Sequence, residues 1–202
     1  MTEAPTPPPA DPIARFVALL EQAKALPRNI LPEPTAFALG TVDERGNPSV
    51  RIVLLKSVDE TGFVFYTNFE SRKGRELLGA KRAALCFHWQ PLEVQVRVEG
   101  PARPVTPAEA DAYFASRARG SQIGAWASLQ SQPMATSAEL DHRVAEMEER
   151  FAGHAVPRPP HWSGFRVAPE RIEFWKNMPS RLHVRHLYAR EGSGWRVQQL
   201  YP

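Results

Sequence analysis

Residues 51–56 read Arg51-Ile52-Val53-Leu54-Leu55-Lys56, an apolar run with a cation at each end. The run is typical of a β-strand, and a turn at residues 59–62 leads into a second strand-like segment. An unpaired charge is costly to bury, so cations beside an apolar strand favour an anionic partner. Arg51 and Lys56 are five positions apart and therefore point to opposite faces of an ideal strand. The stretch predicts a strand that meets two anions, for which phosphate groups are suited; a solvated edge strand is the alternative.

The segments on either side carry helix and strand patterns. Asp11 as an N-cap, with a proline at the first helical position, predicts a helix that ends near Leu26. Ser71 caps a short helix, and Thr106 with Glu109 forms a capping-box pattern. Two more helices are predicted over residues 121–128 and 139–151. Strands are predicted over residues 35–42, 50–58, 63–68, 83–89, 92–98, 164–167, 172–175, 183–189 and 195–200.

This order of elements favours a mainly β fold with inserted helices. Strands joined by hairpins, with further strands at the end of the chain, predict an antiparallel barrel and not a parallel sheet with crossover helices. The sequence contains no glycine-rich motif of the dinucleotide-binding or P-loop type. Any nucleotide must therefore be held by side chains and strand backbone.

Length and composition limit the class of protein. The chain has 202 residues, which suits one domain, predicted over residues 11–202 after a proline-rich disordered arm at residues 1–10. Its apolar runs are far shorter than the roughly 20 residues of a membrane-spanning helix, and its N-terminus lacks the parts of a secretory signal. The single cysteine, Cys86, is interpreted as a core residue and favours the reducing cytoplasm.

The distribution of charge and the spacing of possible metal ligands argue against two further classes of function. The net charge is +3 and the arginines are scattered among acidic residues, so nucleic-acid binding is not predicted. His183 and His186 lack cysteine or carboxylate ligands at metal spacing, so no metal site is predicted.

Three other groups of polar residues are candidates for a site. Ser71-Arg72-Lys73 places a hydroxyl and two cations at a helix start, which suits phosphate. Tyr113, Arg117 and Ser121 follow at four-residue steps and share one helical face if the helix persists across Gly120. Three such donors fit a phosphate monoester, although an ordinary surface helix has the same pattern.

The third group lies near the C-terminus. Arg181, His183 and Arg185 alternate along a predicted strand and would share one side of it. Two fixed cations beside an imidazole can stabilise negative charge on a ring or polarise a substrate. A ladder of cross-strand ion pairs with acidic partners is the alternative. Gln95 and Arg97, on the outward face of an earlier strand, are further candidates for ligand contact.

Together these segments resemble the pyridoxine/pyridoxamine 5′-phosphate oxidases over about residues 34–202. Blocks in the family's order and spacing carry the resemblance: residues 51–56, Phe65-Tyr66-Thr67-Asn68, Ser71-Arg72-Lys73, residues 121–126, Gln130-Ser131, and residues 173–175 followed by 181–183. The resemblance implies an antiparallel, Greek-key-like split β-barrel. It also implies a homodimer that binds FMN at the subunit interface, so that both subunits complete each site.

The resemblance assigns roles to individual residues. The implied FMN contacts are Arg51, Ile52, Val53, Leu54, Tyr66, Thr67, Arg72, Lys73, Gln95, Gln130, Ser131, Trp175 and Arg185. The implied pocket for the substrate phosphate consists of Lys56, Tyr113, Arg117 and Ser121. Arg181 and His183 are the implied catalytic residues, placed over the substrate's pyridine ring.

The activity implied by the resemblance is oxidation of pyridoxine or pyridoxamine 5′-phosphate to pyridoxal 5′-phosphate. A hydride would pass from the substrate's C4′ carbon to flavin N5, and O₂ would accept the electrons as H₂O₂, with ammonia released from the amine. One alternative is a related FMN oxidase of phenazine type, against which the phosphate pocket argues. Another is a flavin- or pyridoxal-phosphate-binding protein with little catalysis, suggested by Val184 and by an N-terminal arm without the family's Arg and Tyr; Lys176 is a further departure from the family's pattern.

Overall fold

The structure, a computed structural model, describes residues 8–202. Its five helices are α1 (Pro12–Ala25), α2 (Arg72–Ala80), α3 (Pro107–Ala115), α4 (Arg119–Ala127) and α5 (Ser137–Arg150). Its ten strands are β1 (Ala36–Val42), β2 (Pro48–Leu54), β3 (Ser57–Asp59), β4 (Gly62–Asn68), β5 (Arg82–Trp89), β6 (Val94–Pro104), β7 (Trp162–Val167), β8 (Arg171–Lys176), β9 (Val184–Glu191) and β10 (Gly194–Leu200). Short 3₁₀ turns lie at Gln90–Leu92 and Pro179–Arg181.

All the strands pair antiparallel in one sheet that curls on itself. The order β10-β9-β8-β6-β5-β1-β2 forms its main path, and β7 joins β6 to β4, which pairs with β3. From β2 the pairing runs through β1, β5, β6, β7 and β4 to β3. Because β3 follows β2 directly in the chain, this path ends beside its start, and the sheet forms a curled half-barrel. The prediction of an antiparallel split barrel is confirmed, and β8 to β10 extend it on one side.

Two strands change partner where the barrel turns. The amide of Leu55 donates to the carbonyl of Thr35 beside β1, whereas the next amide, Lys56, donates to Val64 in β4. This switch ends β2 at Leu54, so the prediction of one strand over residues 50–58 is wrong. Similarly, β6 pairs with β8 over its first half and with β7 at its end. A Cβ at Gly100, between the two halves, would lie 1.9 Å from the carbonyl oxygen of Ala168, so only glycine fits there.

Aromatic side chains and α1 fill the barrel. Phe16 of α1 is fully buried, with ring centroids 4.8 Å from Phe63 and 4.9 Å from Phe87. Asp11 caps this helix by accepting from the amide of Ile13, as the sequence predicts. A second, smaller cluster around Phe114 and Trp162 packs α3, α4 and α5 against the barrel.

Several predicted boundaries move. The helix breaks before Gly120: α3 ends at Ala115, Ala118 leaves the helical conformation with ψ 141°, and Gly120 lies inside α4. Arg181 and His183 precede β9, so they do not share a strand with Arg185, and the φ of Arg181 is +61°. Cys86 is half-buried on the strand face opposite the core residues Leu85 and Phe87, so its interpretation as a core residue is wrong.

The N-terminal arm falls mostly on residues 1–7, which lie outside the described residues. Of the remainder, the carbonyl of Pro9 accepts a hydrogen bond from the Tyr188 hydroxyl at 2.8 Å. Among residues 8–202, no helix combines the length and the apolar character that crossing a membrane requires. Over the same residues, no group of three or more His, Cys, Asp or Glu side chains is placed to hold a metal ion.

Candidate functional site

A cavity of about 690 Å³ lies between the barrel and the helical cluster. The end of β2, strand β4, the start of α2 and the turn between α3 and α4 form its walls. Its lining includes eleven of the residues predicted for the site: Ile52, Val53, Leu54, Lys56, Tyr66, Thr67, Lys73, Tyr113, Arg117, Ser121 and Gln130. The remaining lining residues are Asn68, Ala118, Gly124, Ala125, Ser128 and Trp162.

Lys73 presents an ammonium group to this cavity, and no carboxylate of residues 8–202 pairs with it. Its Nζ donates to Gln130 Oε1 at 2.9 Å and to the Thr67 hydroxyl at 3.3 Å. Burial, with the nearby charge of Arg51, lowers the pKa of the Lys73 ammonium. A partly buried cation whose neighbours are neutral acceptors is suited to an anionic ligand.

Tyr113, Arg117 and Ser121 meet at the cavity although no single helix carries them. Tyr113 belongs to α3, Arg117 lies in the turn after it, and Ser121 belongs to α4. The Arg117 Nη1 is buried and has no hydrogen-bond partner among residues 8–202. Burial lowers the pKa of this guanidinium, which nonetheless stays charged. An orphaned, charged donor that lines a cavity fits a phosphate oxygen.

Stacked aromatic rings form one wall of the cavity. The rings of Tyr66 and Tyr113 are nearly parallel, with centroids 4.0 Å apart. The Trp162 indole lies parallel to Tyr66 at 5.3 Å. Burial raises the pKa of the Tyr66 phenol. Flat rings held in this way give the cavity a rigid side.

Arg51 and Arg72 do not line the cavity, and they share a carboxylate. Glu76, whose side chain is 5% exposed, accepts from Arg72 Nε at 2.8 Å and from Arg51 Nη2 at 3.3 Å. It also accepts from the hydroxyls of Thr41 and Ser49. Burial favours the neutral acid, but these hydrogen bonds and the charge of Arg51 outweigh it and lower the pKa of Glu76 to about 2. The anion that meets Arg51 is thus the Glu76 carboxylate of the same chain. The contact between Arg51 and FMN stays a prediction.

A second group of predicted residues lies on the strands that extend the barrel. Gln95, Trp175 and Arg185 are direct neighbours across β6, β8 and β9, so their side chains share one face. Glu173, on the same face, accepts from Arg185 Nε at 2.8 Å and also pairs with Arg97. The cross-strand ladder with an acidic partner is therefore present for Arg185. Burial opposes charge on Glu173, but the hydrogen bonds from both arginines lower its pKa.

Arg181 and His183 adjoin this row. The His183 ring lies 4.5 Å from that of Trp175, and its Nδ1 accepts from the Met178 amide at 3.3 Å. Lys176, which follows Trp175, donates to the carbonyl of Leu92. The row formed by Gln95, Trp175 and Arg185, with Arg181 and His183 beside it, is called the C-terminal row below.

Within one chain the structure does not bring the C-terminal row to the cavity. None of its five residues lines the cavity wall. Ser131 also lies outside the wall; it follows Gln130 and has a φ of +71°. The face of β2 beside the cavity is open, since Val50 and Ile52 are 71% and 67% exposed. Within one chain the cavity and the C-terminal row therefore form two separate groups, and the face of β2 beside the cavity is open to solvent.

Three residues that organise the site were not predicted from the sequence. Glu76 and Glu173 each hold two arginines, and Trp162 supports Arg117. A helical spacing of four between Arg72 and Glu76 was the available signal for one of these pairs. The others join residues that are distant in sequence, which no local pattern reveals.

Comparison with known families gives two matches that together span most of the chain. Residues 23–176 match the family described as pyridoxamine 5′-phosphate oxidase. Residues 162–202 match the region described as pyridoxine 5′-phosphate oxidase C-terminal dimerisation region. The second match contains Trp175, Arg181, His183 and Arg185, four residues of the C-terminal row.

Curated relatives are similar over nearly their whole length. A pyridoxine/pyridoxamine 5′-phosphate oxidase of Myxococcus xanthus (strain DK1622) is 64% identical over 194 residues, which is 96% of this chain and 93% of the relative. Proteins of the same name from Anaeromyxobacter dehalogenans (strain 2CP-C) and Rhodospirillum rubrum are 57% and 58% identical. These two alignments cover 98% and 95% of this chain, and 100% and 96% of the relatives.

Two solved structures share the architecture. PhzG from Burkholderia lata 383, in complex with tetrahydrophenazine-1-carboxylic acid, superposes with a TM-score of 0.86 at 33% identity, covering 99% of this chain and 98% of that one. A pyridoxamine 5′-phosphate oxidase-related, FMN-binding protein from Nostoc punctiforme PCC 73102 has a TM-score of 0.74 at 15% identity, covering 96% and 100%. The second likeness supports the fold alone.

Proposed function

The chain belongs to the pyridoxine/pyridoxamine 5′-phosphate oxidase family, and from this premise we propose that it oxidises pyridoxine or pyridoxamine 5′-phosphate to pyridoxal 5′-phosphate. The electrons pass to O₂, which leaves as H₂O₂, and the amine substrate also releases ammonia. The observation that carries the proposal is the cavity that gathers Lys56, Tyr113, Arg117 and Ser121. Its orphaned guanidinium donor suits the phosphate that distinguishes these substrates.

We propose FMN as the cofactor, which would supply the hydride-accepting ring. Lys73 fits the FMN phosphate because its ammonium is partly buried and its neighbours are neutral acceptors. The backbone of residues 52–54 also fits a flat polar ring, since among the strands of residues 8–202 β2 pairs only with β1, and alternate amide and carbonyl groups face away from that partner. The other proposed contacts within this chain are Arg51, Tyr66, Thr67, Arg72, Gln130 and Ser131.

The substrate phosphate would be held on the opposite side of the cavity by Lys56, Tyr113, Arg117 and Ser121. Two cations and two hydroxyls complement a phosphate dianion. Holding both molecules by their phosphates fixes the two rings relative to each other, which is where positioning contributes most to rate. Weakening the substrate-phosphate site should therefore lower kcat/KM.

We propose that the functional unit is a homodimer in which the C-terminal row of one subunit closes the cavity of the other. The dimerisation-region match over residues 162–202 and the open face of β2 support this arrangement. In it, Gln95, Trp175 and Arg185 would contact the flavin. Arg181 and His183 would lie over the substrate ring as the catalytic residues, and Arg185 would stabilise negative charge on the reduced cofactor.

A second candidate is an oxidase of the phenazine type, favoured by the TM-score of 0.86 with PhzG. The retained phosphate pocket supports the first proposal instead. The relatives with 52–64% identity also carry the oxidase name, whereas PhzG is 33% identical. The single cysteine among 202 residues supports the cytoplasm as the proposed location.

A substrate-dependent peroxide assay tests the proposal. Purified protein loaded with FMN should release H₂O₂ and form pyridoxal 5′-phosphate when either phosphorylated substrate is added in air. Under anaerobic conditions the same substrate should bleach the flavin absorbance. Protein that binds FMN but turns over neither substrate would refute the proposal, and binding of pyridoxal 5′-phosphate without bleaching would indicate a carrier.

A further inference from the structure

Arg117 is held in the cavity by something other than an anion. Its Nη1 is buried without a partner, and over residues 8–202 no carboxylate lies within ion-pair distance of it. Arg51 and Arg185, by contrast, are each fixed by a buried glutamate. A guanidinium that already pairs with a carboxylate has most of its charge neutralised. Arg117 therefore keeps a full positive charge available for a ligand, and its position must come from other contacts.

The face of Trp162 supplies the nearest of these contacts. The Arg117 Cζ lies 4.7 Å from the centroid of the Trp162 ring and 5.6 Å from that of Phe114. Both distances are in the range of cation–π attraction, which is strongest for tryptophan. Trp162 is 6% exposed and stands at the start of β7, directly opposite Asn68 of β4.

Trp162 is itself fixed on several sides. Its ring is parallel to Tyr66 and Tyr113, with interplanar angles of 5° and 7°, and meets Phe114 edge-on at 5.1 Å. The backbone is also fixed, because its amide donates to Pro159 and its carbonyl accepts from Arg158. A ring packed in this way provides a rigid surface for the guanidinium.

We propose that Trp162 is a positioning residue for the substrate phosphate, acting through Arg117. The indole face orients the guanidinium without neutralising it, so the charge stays free for the phosphate of the substrate. This inference rests on the proposed function and extends it to a residue outside the phosphate-contacting set. If Trp162 acts only through the substrate phosphate, replacing it should weaken the binding of ligands that carry a phosphate. The binding of ligands without a phosphate should stay unchanged.

Two substitutions at Trp162 test this role, with a matched control. Trp162→Leu removes the aromatic face, and Trp162→Phe keeps a smaller one. Trp126→Leu is the control: Trp126 packs against the same helical cluster and carries Arg150 over its ring at 5.1 Å, but it does not line the cavity. The same change at both tryptophans separates a lost positioning contact from lost packing.

The measurements are made on the FMN-loaded protein. For Trp162→Leu we expect KM for pyridoxine 5′-phosphate to rise about ten-fold, with kcat changed less than about two-fold. The dissociation constant of pyridoxal 5′-phosphate should rise by a similar factor while that of pyridoxal stays unchanged. Trp162→Phe should show a smaller rise of the same kind, and Trp126→Leu should show none.

Equal weakening of pyridoxal and pyridoxal 5′-phosphate would overturn the proposal, as would the same KM change in the Trp126→Leu control. If Trp162→Leu does not fold, an unchanged dissociation constant of pyridoxal 5′-phosphate in Trp162→Phe overturns it. The comparison of dissociation constants does not depend on whether the protein turns over a substrate. A wild-type protein that oxidises neither substrate defeats the proposed function, whereas a selective effect of Trp162 on phosphate-bearing ligands still supports this inference.

Discussion

Replacing Glu76 by glutamine should destabilise the protein in a pH-dependent way. Glu76 is the buried carboxylate that accepts hydrogen bonds from Thr41, Ser49, Arg51 and Arg72. These partners lower its pKa from 4.5 to about 2. Since one pKa unit corresponds to roughly 1.4 kcal/mol, the charged form contributes about 3 kcal/mol to the free energy of unfolding at about pH 7. Glutamine has a similar shape and lacks this charge.

The sign of the pH dependence follows from the lowered pKa. The contribution is fully present above the pKa of the unfolded state and is lost as the pH falls towards that of the folded state. The difference in unfolding free energy between wild type and Glu76→Gln should therefore decrease from about 3 kcal/mol at about pH 7 to about 2 kcal/mol at about pH 3.5. Below about pH 2 it should nearly vanish.

Urea unfolding followed by tryptophan fluorescence measures this difference. Both proteins are compared without added cofactor and at one protein concentration, because association contributes to apparent stability. Glu148→Gln, on the exposed surface of α5, is the control and should change the unfolding free energy little at either pH. A difference that is constant with pH, or that grows on acidification, would refute the reasoning about Glu76.

Three further predictions concern the site. Lys73→Met, which keeps most of the stem and removes the ammonium, should raise the dissociation constant of FMN roughly ten- to hundred-fold in a flavin-fluorescence titration; an unchanged constant would exclude Lys73 from the phosphate site. Arg181→Ala and His183→Ala should lower turnover while FMN stays bound, and loss of flavin from both variants would contradict their assignment to the substrate ring. Glu173→Gln should lower the free energy of unfolding by about 2 kcal/mol, because it weakens the charge-assisted hydrogen bonds from two arginines; thermal unfolding that matches wild type would show that Glu173 holds neither arginine firmly.

The local signals in the sequence determined most of the elements and their order. The Asp11 cap, the Ser71 cap and the capping box at Thr106 each mark a helix that the structure contains. The strand predicted over residues 92–98 likewise corresponds to the first part of β6. These features depend on residues within a few positions of one another, so a single sequence carries them in full.

Strand partners were decided only in three dimensions. The chain leaves β1 for β4 between Leu55 and Lys56, and it leaves β8 for β7 around Gly100. The sequence predicted one continuous strand across the first position and ended the strand of residues 92–98 before the second, because a backbone that stays extended while its hydrogen-bond partner changes leaves no local signal. The barrel closure therefore depends on distant segments that no local pattern includes.

The same distinction between local signals and tertiary contacts applies to the residues of the site. The sequence by itself determined which cations and hydroxyls were available, and through its motifs it indicated the family. The tertiary structure decided how each one is held: Arg51 and Arg72 by Glu76, Arg185 by Glu173, and Arg117 by the face of Trp162. Side-chain type is fixed residue by residue, whereas the partner that neutralises or orients a charge is a neighbour in space, often more than twenty positions away along the chain.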